Sequence, residues 1–166
     1  LAAILLFIIS RHKWRVRAPF RVFWSILCFI FLFLALDEFY EIHERLLDIE
    51  LLDDLTEVSS IFKFSWIVPY GSGLLIFLLM SIQFLRHLQP RSRNLFILSG
   101  TIFVTGAIGL EMVGGVIFEE SGKSSLLWVI SITIEETLEI FGVLLFIFTL
   151  LDYISLNGER LSISIE

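Results

Sequence analysis

Four stretches of this sequence are apolar for long enough to cross a lipid bilayer, and this feature limits the fold more than any other. A bilayer core of ~30 Å requires about 20 residues of apolar helix. With their polar flanks, the four stretches are predicted as spanning helices over residues 20–44, 61–85, 95–118 and 126–152. A shorter apolar run, residues 1–10, is predicted to be part of a fifth span that begins before Leu1; the remnant of a signal peptide is the alternative. The predicted fold class is all-α, a polytopic transmembrane helix bundle of about five spans in a single domain, 1–166.

The composition supports this class and excludes others. Hydrophobic residues make up 57% of the chain and charged residues 18%, whereas soluble domains average about 45–50% and about 25%. A soluble domain of this size has too little interior to hide so much apolar surface, which argues against a soluble enzyme. The net charge of −6 argues against nucleic acid as a partner. Cys28 is the single cysteine, so a disulfide framework and a cysteine zinc site are excluded.

The distribution of charge between the spans predicts their orientation. Arginine and lysine are concentrated in residues 11–17 and 86–93, whereas residues 48–57 and 119–125 are acidic. Cytoplasmic loops carry the excess of basic residues. The basic loops and the C-terminus are therefore predicted to be cytoplasmic, and the lipid bilayer is the expected partner.

The C-terminal tail, residues 153–166, has a pattern of its own. Asn157 and Gly158 separate two runs of alternating polarity, which is the signature of a β-hairpin with a type I′ turn. Because an isolated two-stranded hairpin is marginally stable in water, a frayed tail is the alternative.

Carboxylates inside the spans are the strongest functional signal. A charge at the bilayer centre costs at least ~2.5 kcal/mol, yet the last span contains Glu135, Glu136 and Glu139. At 100° per residue, Glu135 and Glu139 share one stripe with small and polar residues, which predicts that this stripe faces other helices. Its members are Trp128, Ser131, Glu135, Glu139, Gly142, Phe146 and Thr149.

Other spans place polar features at a similar depth. Glu111 lies in a glycine-rich part of the third full span, and helical spacing puts Ala107, Gly114 and Gly115 on its face. In the second full span, Pro69 is predicted to kink the helix and free the carbonyl of Ser65.

The end of the first full span adds further ligand-type side chains. Asp37, Glu38, Glu41 and His43 lie there, just above the other acids in the predicted outer half of the bilayer.

Carboxylates with a histidine suit protons or hard and borderline divalent metals. The predicted metal or proton site comprises His43, Glu111, Glu135, Glu139, Glu136, Glu41, Glu38 and Asp37, with Glu135 and Glu139 as the central ligands or proton carriers. Neither the helical di-iron pattern nor a paired-histidine zinc pattern is present.

The predicted function is cation binding, with transport as the activity it would serve and a divalent metal ion as the candidate cofactor. Two alternatives stay open. One is a non-catalytic accessory or assembly subunit of a larger membrane complex, in which the acids link helices. The other is a membrane metalloenzyme, so whether the chain is an enzyme is undecided. A homo-oligomer is compatible with any of these functions.

Four segments resemble a family of uncharacterised bacterial multi-pass membrane proteins, cyanobacterial ones in particular. They are LDE through HE at 36–44, RNLFILSG at 93–100, GLE at 109–111 and EETLEIFG at 135–142. The resemblance covers most of residues 36–153 and implies no activity. It implies a bacterial plasma membrane or a thylakoid membrane as the location.

Overall fold

The structure, a computed structural model, describes residues 1–40, 42, 67–122 and 124–157. Every regular element in these ranges is helical, which confirms the all-α class. In chain order the elements are α1 (Ala2–Arg15), α2 (Arg21–Tyr40), α3 (Ile67–His87), α4 (Pro90–Val104), a π-helical turn (Thr105–Leu110), α5 (Glu111–Ser121) and α6 (Leu126–Leu156).

Four helical segments in the described ranges are long and apolar enough to cross a membrane, and the chain is consistent with a membrane location. They are Arg21–Tyr40, Pro69–His87, Pro90–Ser121 and Leu126–Leu156. The third of these segments joins α4, the π-helical turn and α5 into one continuous rod. At 14 residues, α1 is shorter than these four, so the fifth span stays a prediction.

Helix α1 extends further than the sequence suggested. The basic residues after position 10 were predicted to form a loop, but the helix continues through them to Arg15. His12, Lys13 and Arg15 lie in its last turn, where positive charge stabilises the helix dipole. The ammonium group of Lys13 also lies 5.3 Å from the centre of the Tyr153 ring, which ties this end of α1 to α6.

A tight connection joins α1 to α2. Arg17 and Phe20 adopt positive φ angles of 49° and 59°, a conformation that costs free energy for residues with a side chain. Polar contacts hold the two helices together beyond the turn. Ser25 Oγ lies 2.8 Å from Ser10 Oγ and accepts a hydrogen bond of 2.8 Å from Trp14 Nε1.

The large buried side chains lie at one end of the bundle, called here the aromatic end. The beginnings of α2 and α4 meet the ends of α3 and α6 there because successive helices run in opposite directions. Trp24, with 2% of its surface exposed, contacts the rings of Phe84, Phe96 and Tyr153 at 5.2, 6.0 and 4.9 Å between centroids. The contacts with Phe84 and Phe96 are edge-to-face, a geometry that adds specific attraction to the packing.

An ion pair links α4 to α6 at the aromatic end. Arg91, in the first turn of α4, donates two hydrogen bonds to Asp152 of α6, at 2.7 Å from Nη2 to Oδ1 and 3.0 Å from Nε to Oδ2. The Asp152 side chain is mostly buried and that of Arg91 is exposed. Bidentate geometry makes this pair more directional than an ordinary surface ion pair.

The opposite end, called here the carboxylate end, is packed differently. Its buried residues are small or polar, and include Asp37, Gly106, Gly114, Gly115 and Ser131. Small residues let helix backbones approach closely where there is no large side chain to fill the space.

The element boundaries differ from the predicted spans in specific places. The α4–α5 rod begins at Pro90, five residues before the predicted start, because proline is favoured in the first turn of a helix. Helix α6 continues to Leu156, and Asn157 ends it by donating from its side-chain amide to the carbonyl of Tyr153 at 2.8 Å.

Some predictions lie outside the described residues. These are the freed carbonyl of Ser65, the first part of the 61–85 span and most of the predicted hairpin, from residue 158 on. Pro69 itself lies in the described part of α3.

Candidate functional site

The candidate site lies where the α4–α5 rod packs against α6. Two glycines bring the helix backbones almost into contact. A Cβ atom on Gly142 would lie 2.7 Å from the Phe103 backbone nitrogen, and one on Gly106 would lie 3.0 Å from the Glu135 carbonyl oxygen and from Glu139 Cγ. The helices run antiparallel, so positions further along α5 meet positions earlier in α6.

Glu111 and Glu135 meet at this interface. The carboxyl group of Glu135 is hydrogen-bonded to that of Glu111, and Glu139 and Glu136 are its further acidic neighbours. An ionised carboxylate only accepts hydrogen bonds. A hydrogen bond between two carboxyl groups therefore requires a proton on one of them, and the contact has the geometry to hold a proton between two helices.

The π-helical turn sets the direction of Glu111. Gly106 lies against α6, and Glu111 follows it by five residues. In an α-helix a separation of five residues would place the two about 140° apart around the axis. The wider π turn, with its i to i+5 hydrogen bonds, brings both to the side that faces α6.

The sequence prediction for this face did not include Gly106. Helical spacing placed Ala107 on the face of Glu111, and the structure shows that Gly106 is the buried residue of the π turn. Gly114 and Gly115 are buried, as predicted. The signal that could have suggested the irregularity is the pair of glycines at 106 and 109, since glycine is a weak helix former.

Ser131 contributes an unpaired hydroxyl beside the carboxyl pair. Its Oγ is buried and has no hydrogen-bond partner among the described residues. It lies one turn before Glu135 on α6 and faces α5, since a Cβ on Gly114 would lie 3.6 Å from it.

Several hydroxyls elsewhere in the bundle donate to a carbonyl one turn earlier in the same helical segment. They are those of Ser25, Ser81, Ser99, Thr105, Thr133, Thr137 and Thr149. Ser131 differs from them and retains its capacity to bond a small polar group.

Asp37 has a partner that the sequence prediction did not include. It is 6% exposed, and its Oδ1 accepts a hydrogen bond of 3.0 Å from the hydroxyl of Tyr70 on α3. Phe31 of α2 stacks on Phe146 of α6 at 4.4 Å. Asp37 lies ~9 Å beyond Phe31 along α2, and Glu139 lies ~10 Å before Phe146 along α6. Because these two helices are antiparallel, both acids lie at a similar depth on the same side of the Phe31–Phe146 contact.

The eight predicted site residues are thus partly brought together. Glu111 and Glu135 are in contact, with Glu139 and Glu136 nearby. Asp37 of α2 is hydrogen-bonded to Tyr70 of α3. Glu38 is exposed. Glu41 and His43 lie outside the described residues.

The stripe predicted on α6 is confirmed, since Ser131, Gly142, Phe146 and Thr149 are buried along it. The divalent-metal cofactor stays a prediction. Within the described ranges, no group of three or more His, Cys, Asp or Glu side chains is arranged to hold a metal ion. Glu41 and His43, two of the predicted ligands, lie outside these ranges.

The model of a family described as a domain of unknown function (DUF8692) matches residues 1–154. The chain belongs to this family. The match includes all the helices except the last two residues of α6. No curated protein and no solved structure matches the chain. The family description names no activity, so function is inferred from the site.

Proposed function

We propose that this chain is an integral membrane protein in which Glu111 and Glu135 bind and release a proton within the bilayer. The observation that carries the proposal is the hydrogen bond between their carboxyl groups across the interface of two candidate spans. A carboxyl pair in direct contact accommodates one proton in the hydrogen bond between its members. A divalent cation needs a larger set of oxygen ligands around it, so the geometry favours the proton.

The depth of the pair supports a role inside the membrane. Glu135 follows the first residue of α6 by nine positions, which is ~14 Å along the helix. Acidic residues at such depth are costly unless they serve a site or a pathway. With the basic loops on the cytoplasmic side, the pair lies in the outer half of the bilayer. The resemblance noted above suggests a bacterial plasma membrane or a thylakoid membrane.

Polar groups on α6 extend the site in both directions. Ser131 lies one turn before Glu135 and Glu139 one turn after it, on the stripe that faces the bundle. A proton that leaves the pair meets hydrogen-bonding groups about 6 Å away on either side. Such a row, formed by Ser131, the carboxyl pair and Glu139, would serve proton transport across part of the membrane.

Proton flux into proteoliposomes tests the proposal. The purified protein is reconstituted with an internal pH indicator dye, and a potassium diffusion potential drives proton entry. We expect wild-type protein to carry flux, and Glu135→Gln and Glu111→Gln to abolish it because glutamine keeps the hydrogen bond but holds no exchangeable acid proton. Glu120→Gln, an exposed glutamate at the end of α5, is the matched control and should retain the wild-type rate.

Infrared spectroscopy supplies an independent readout. Wild-type protein should show the carbonyl band of a protonated carboxyl group at neutral pH, and this band should disappear in Glu135→Gln. Absence of the band from the wild type would contradict the proton site. A band that is present while flux is unaffected by either variant would contradict transport and favour the accessory-subunit alternative, in which the pair links helices.

A further inference from the structure

An open groove of about 540 Å³ runs along the beginning of α2 at the aromatic end. Its lining includes Arg17 and Arg21 at one end and Val22, Ile26 and Met80 further along. The groove and the Glu111–Glu135 pair lie at opposite ends of the bundle and share no residue.

The charged end of the groove is cationic. Arg17 is exposed and lies in the tight turn before α2, and Arg21 is the first residue of that helix. The guanidinium carbon of Arg21 lies 4.7 Å from the centre of the Trp14 ring, a cation–π contact that holds its side chain in place. None of the described residues that line the groove is acidic, so its positive charge is not neutralised from within.

The remainder of the groove is apolar and follows the helix axis. Val22 and Ile26 are one turn apart on α2, and Met80 of α3 faces them across the groove. Val22 and Met80 are both about half exposed. The lining therefore changes from cationic to apolar along the direction from the end of the candidate span toward its middle.

We propose that this groove binds an anionic phospholipid of the bilayer. Its phosphate would lie between Arg17 and Arg21, and one acyl chain would lie along Val22, Ile26 and Met80. The groove is positively charged at the end of the span and apolar toward its middle. A phospholipid in the bilayer has its charged headgroup and its acyl chains in the same order. Basic pockets between helices at the membrane boundary recognise lipid headgroups by this charge complementarity.

Competitive lipid binding tests the proposal. Protein in mild detergent is incubated with equal amounts of phosphatidylglycerol and phosphatidylcholine, and the bound lipids are counted by native mass spectrometry. We expect wild-type protein to retain phosphatidylglycerol in preference. The Arg17→Gln/Arg21→Gln variant should lose roughly 30-fold of that preference, and Arg17→Gln alone about fivefold.

The control removes the same charge elsewhere. Arg11 and Arg86 are exposed basic residues that do not line the groove, so Arg11→Gln/Arg86→Gln should retain the wild-type preference. Met80→Trp changes no charge and fills the apolar part of the groove, so it should reduce lipid retention while leaving the arginines in place. Circular dichroism of each variant verifies that it remains folded.

Three results would overturn the inference. They are equal retention of the two lipids by wild-type protein, an equal loss of preference in both double variants, and thermal stabilisation by inorganic phosphate as large as that by phosphatidylglycerol. The last result would identify a phosphate site without a role for the acyl chain.

Discussion

At the scale of single residues, the contact between Glu135 and Glu111 depends on a hydrogen-bond donor in one of the two carboxyl groups. Glu135→Gln preserves a donor, so its free energy of unfolding should stay within about 1 kcal/mol of wild type. Glu135→Ala leaves Glu111 without its partner, and we expect a loss of about 1–3 kcal/mol. Thermal unfolding in detergent, followed by intrinsic fluorescence, measures both changes.

Glu120→Ala provides the comparison for that prediction. Glu120 is exposed at the end of α5, and surface substitutions usually change stability by less than about 0.5 kcal/mol. If Glu135→Gln were as destabilising as Glu135→Ala, the shared proton would not be the basis of the contact.

Gly142 is a second residue whose role follows from a contact distance. A Cβ there would lie 2.7–2.8 Å from backbone atoms of Phe103, and backbone cannot rotate away as a side chain can. We expect Gly142→Ala to separate α4 from α6 and to cost about 1–3 kcal/mol, as overpacking in a well-packed core does. Chemical unfolding curves in mixed detergent measure the change.

Gly100 is the matched control for Gly142. It also lies within a helix of this interface, but a Cβ on it would meet nothing within 4 Å. Gly100→Ala should therefore stabilise the protein by about 0.5–1 kcal/mol through higher helix propensity. The same sign of effect for both variants would contradict the close approach at Gly142.

At the scale of an element, the π-helical turn decides where Glu111 points. Insertion of one alanine after Gly109 should lengthen the separation of Gly106 and Glu111 to six residues. Each residue of an α-helix contributes about 100° of rotation, so the added residue should turn Glu111 away from Glu135. We expect the protonated-carboxyl infrared band to disappear while circular dichroism shows wild-type helix content.

An insertion in the nearby loop separates this effect from a general disturbance. Ser124 is exposed between α5 and α6, and one alanine inserted after it leaves both helices and the π turn intact. The infrared band should persist in that variant. Persistence of the band after the insertion at Gly109 would show that the π turn does not position the pair.

The sequence predicts the α6 side of the site better than it predicts the side formed by the α4–α5 rod. The stripe on α6 follows a regular 3.6-residue period, so helical geometry alone placed Ser131 and Gly142 on the buried side. The facing rod breaks that period at the π turn, and helical spacing therefore did not select Gly106. Asp37 was a predicted site residue, but its bond to Tyr70 depends on how α2 and α3 pack, which no spacing within either helix specifies.

At the scale of the whole molecule, the charge distribution predicts which end of the bundle faces the cytoplasm. In a Cys28→Ala background, Gln89→Cys probes the turn between α3 and α4, and Ser124→Cys probes the loop between α5 and α6; both positions are exposed. A membrane-impermeant thiol reagent should label Ser124→Cys in intact cells. It should label Gln89→Cys after permeabilisation only, because Arg86, Arg91 and Arg93 keep that turn inside.

The background variant without cysteine should remain unlabelled under both conditions. A reversed pattern would place the Glu111–Glu135 pair in the inner half of the bilayer. It would also place the arginine-lined groove in the outer leaflet.

Hydropathy and helical period are local properties, so they are sufficient to predict the helical class, the approximate spans and the buried stripe on α6. Which carboxylates meet is not a local property, because it depends on the antiparallel register of two helices, on close approach at glycines and on one wide turn. Tertiary packing also places the largest buried side chains at one end of the bundle and the Glu111–Glu135 pair, with its buried glycines, at the other. Those outcomes arise from packing between segments far apart in the chain, where the free energy depends on the fit of both surfaces together.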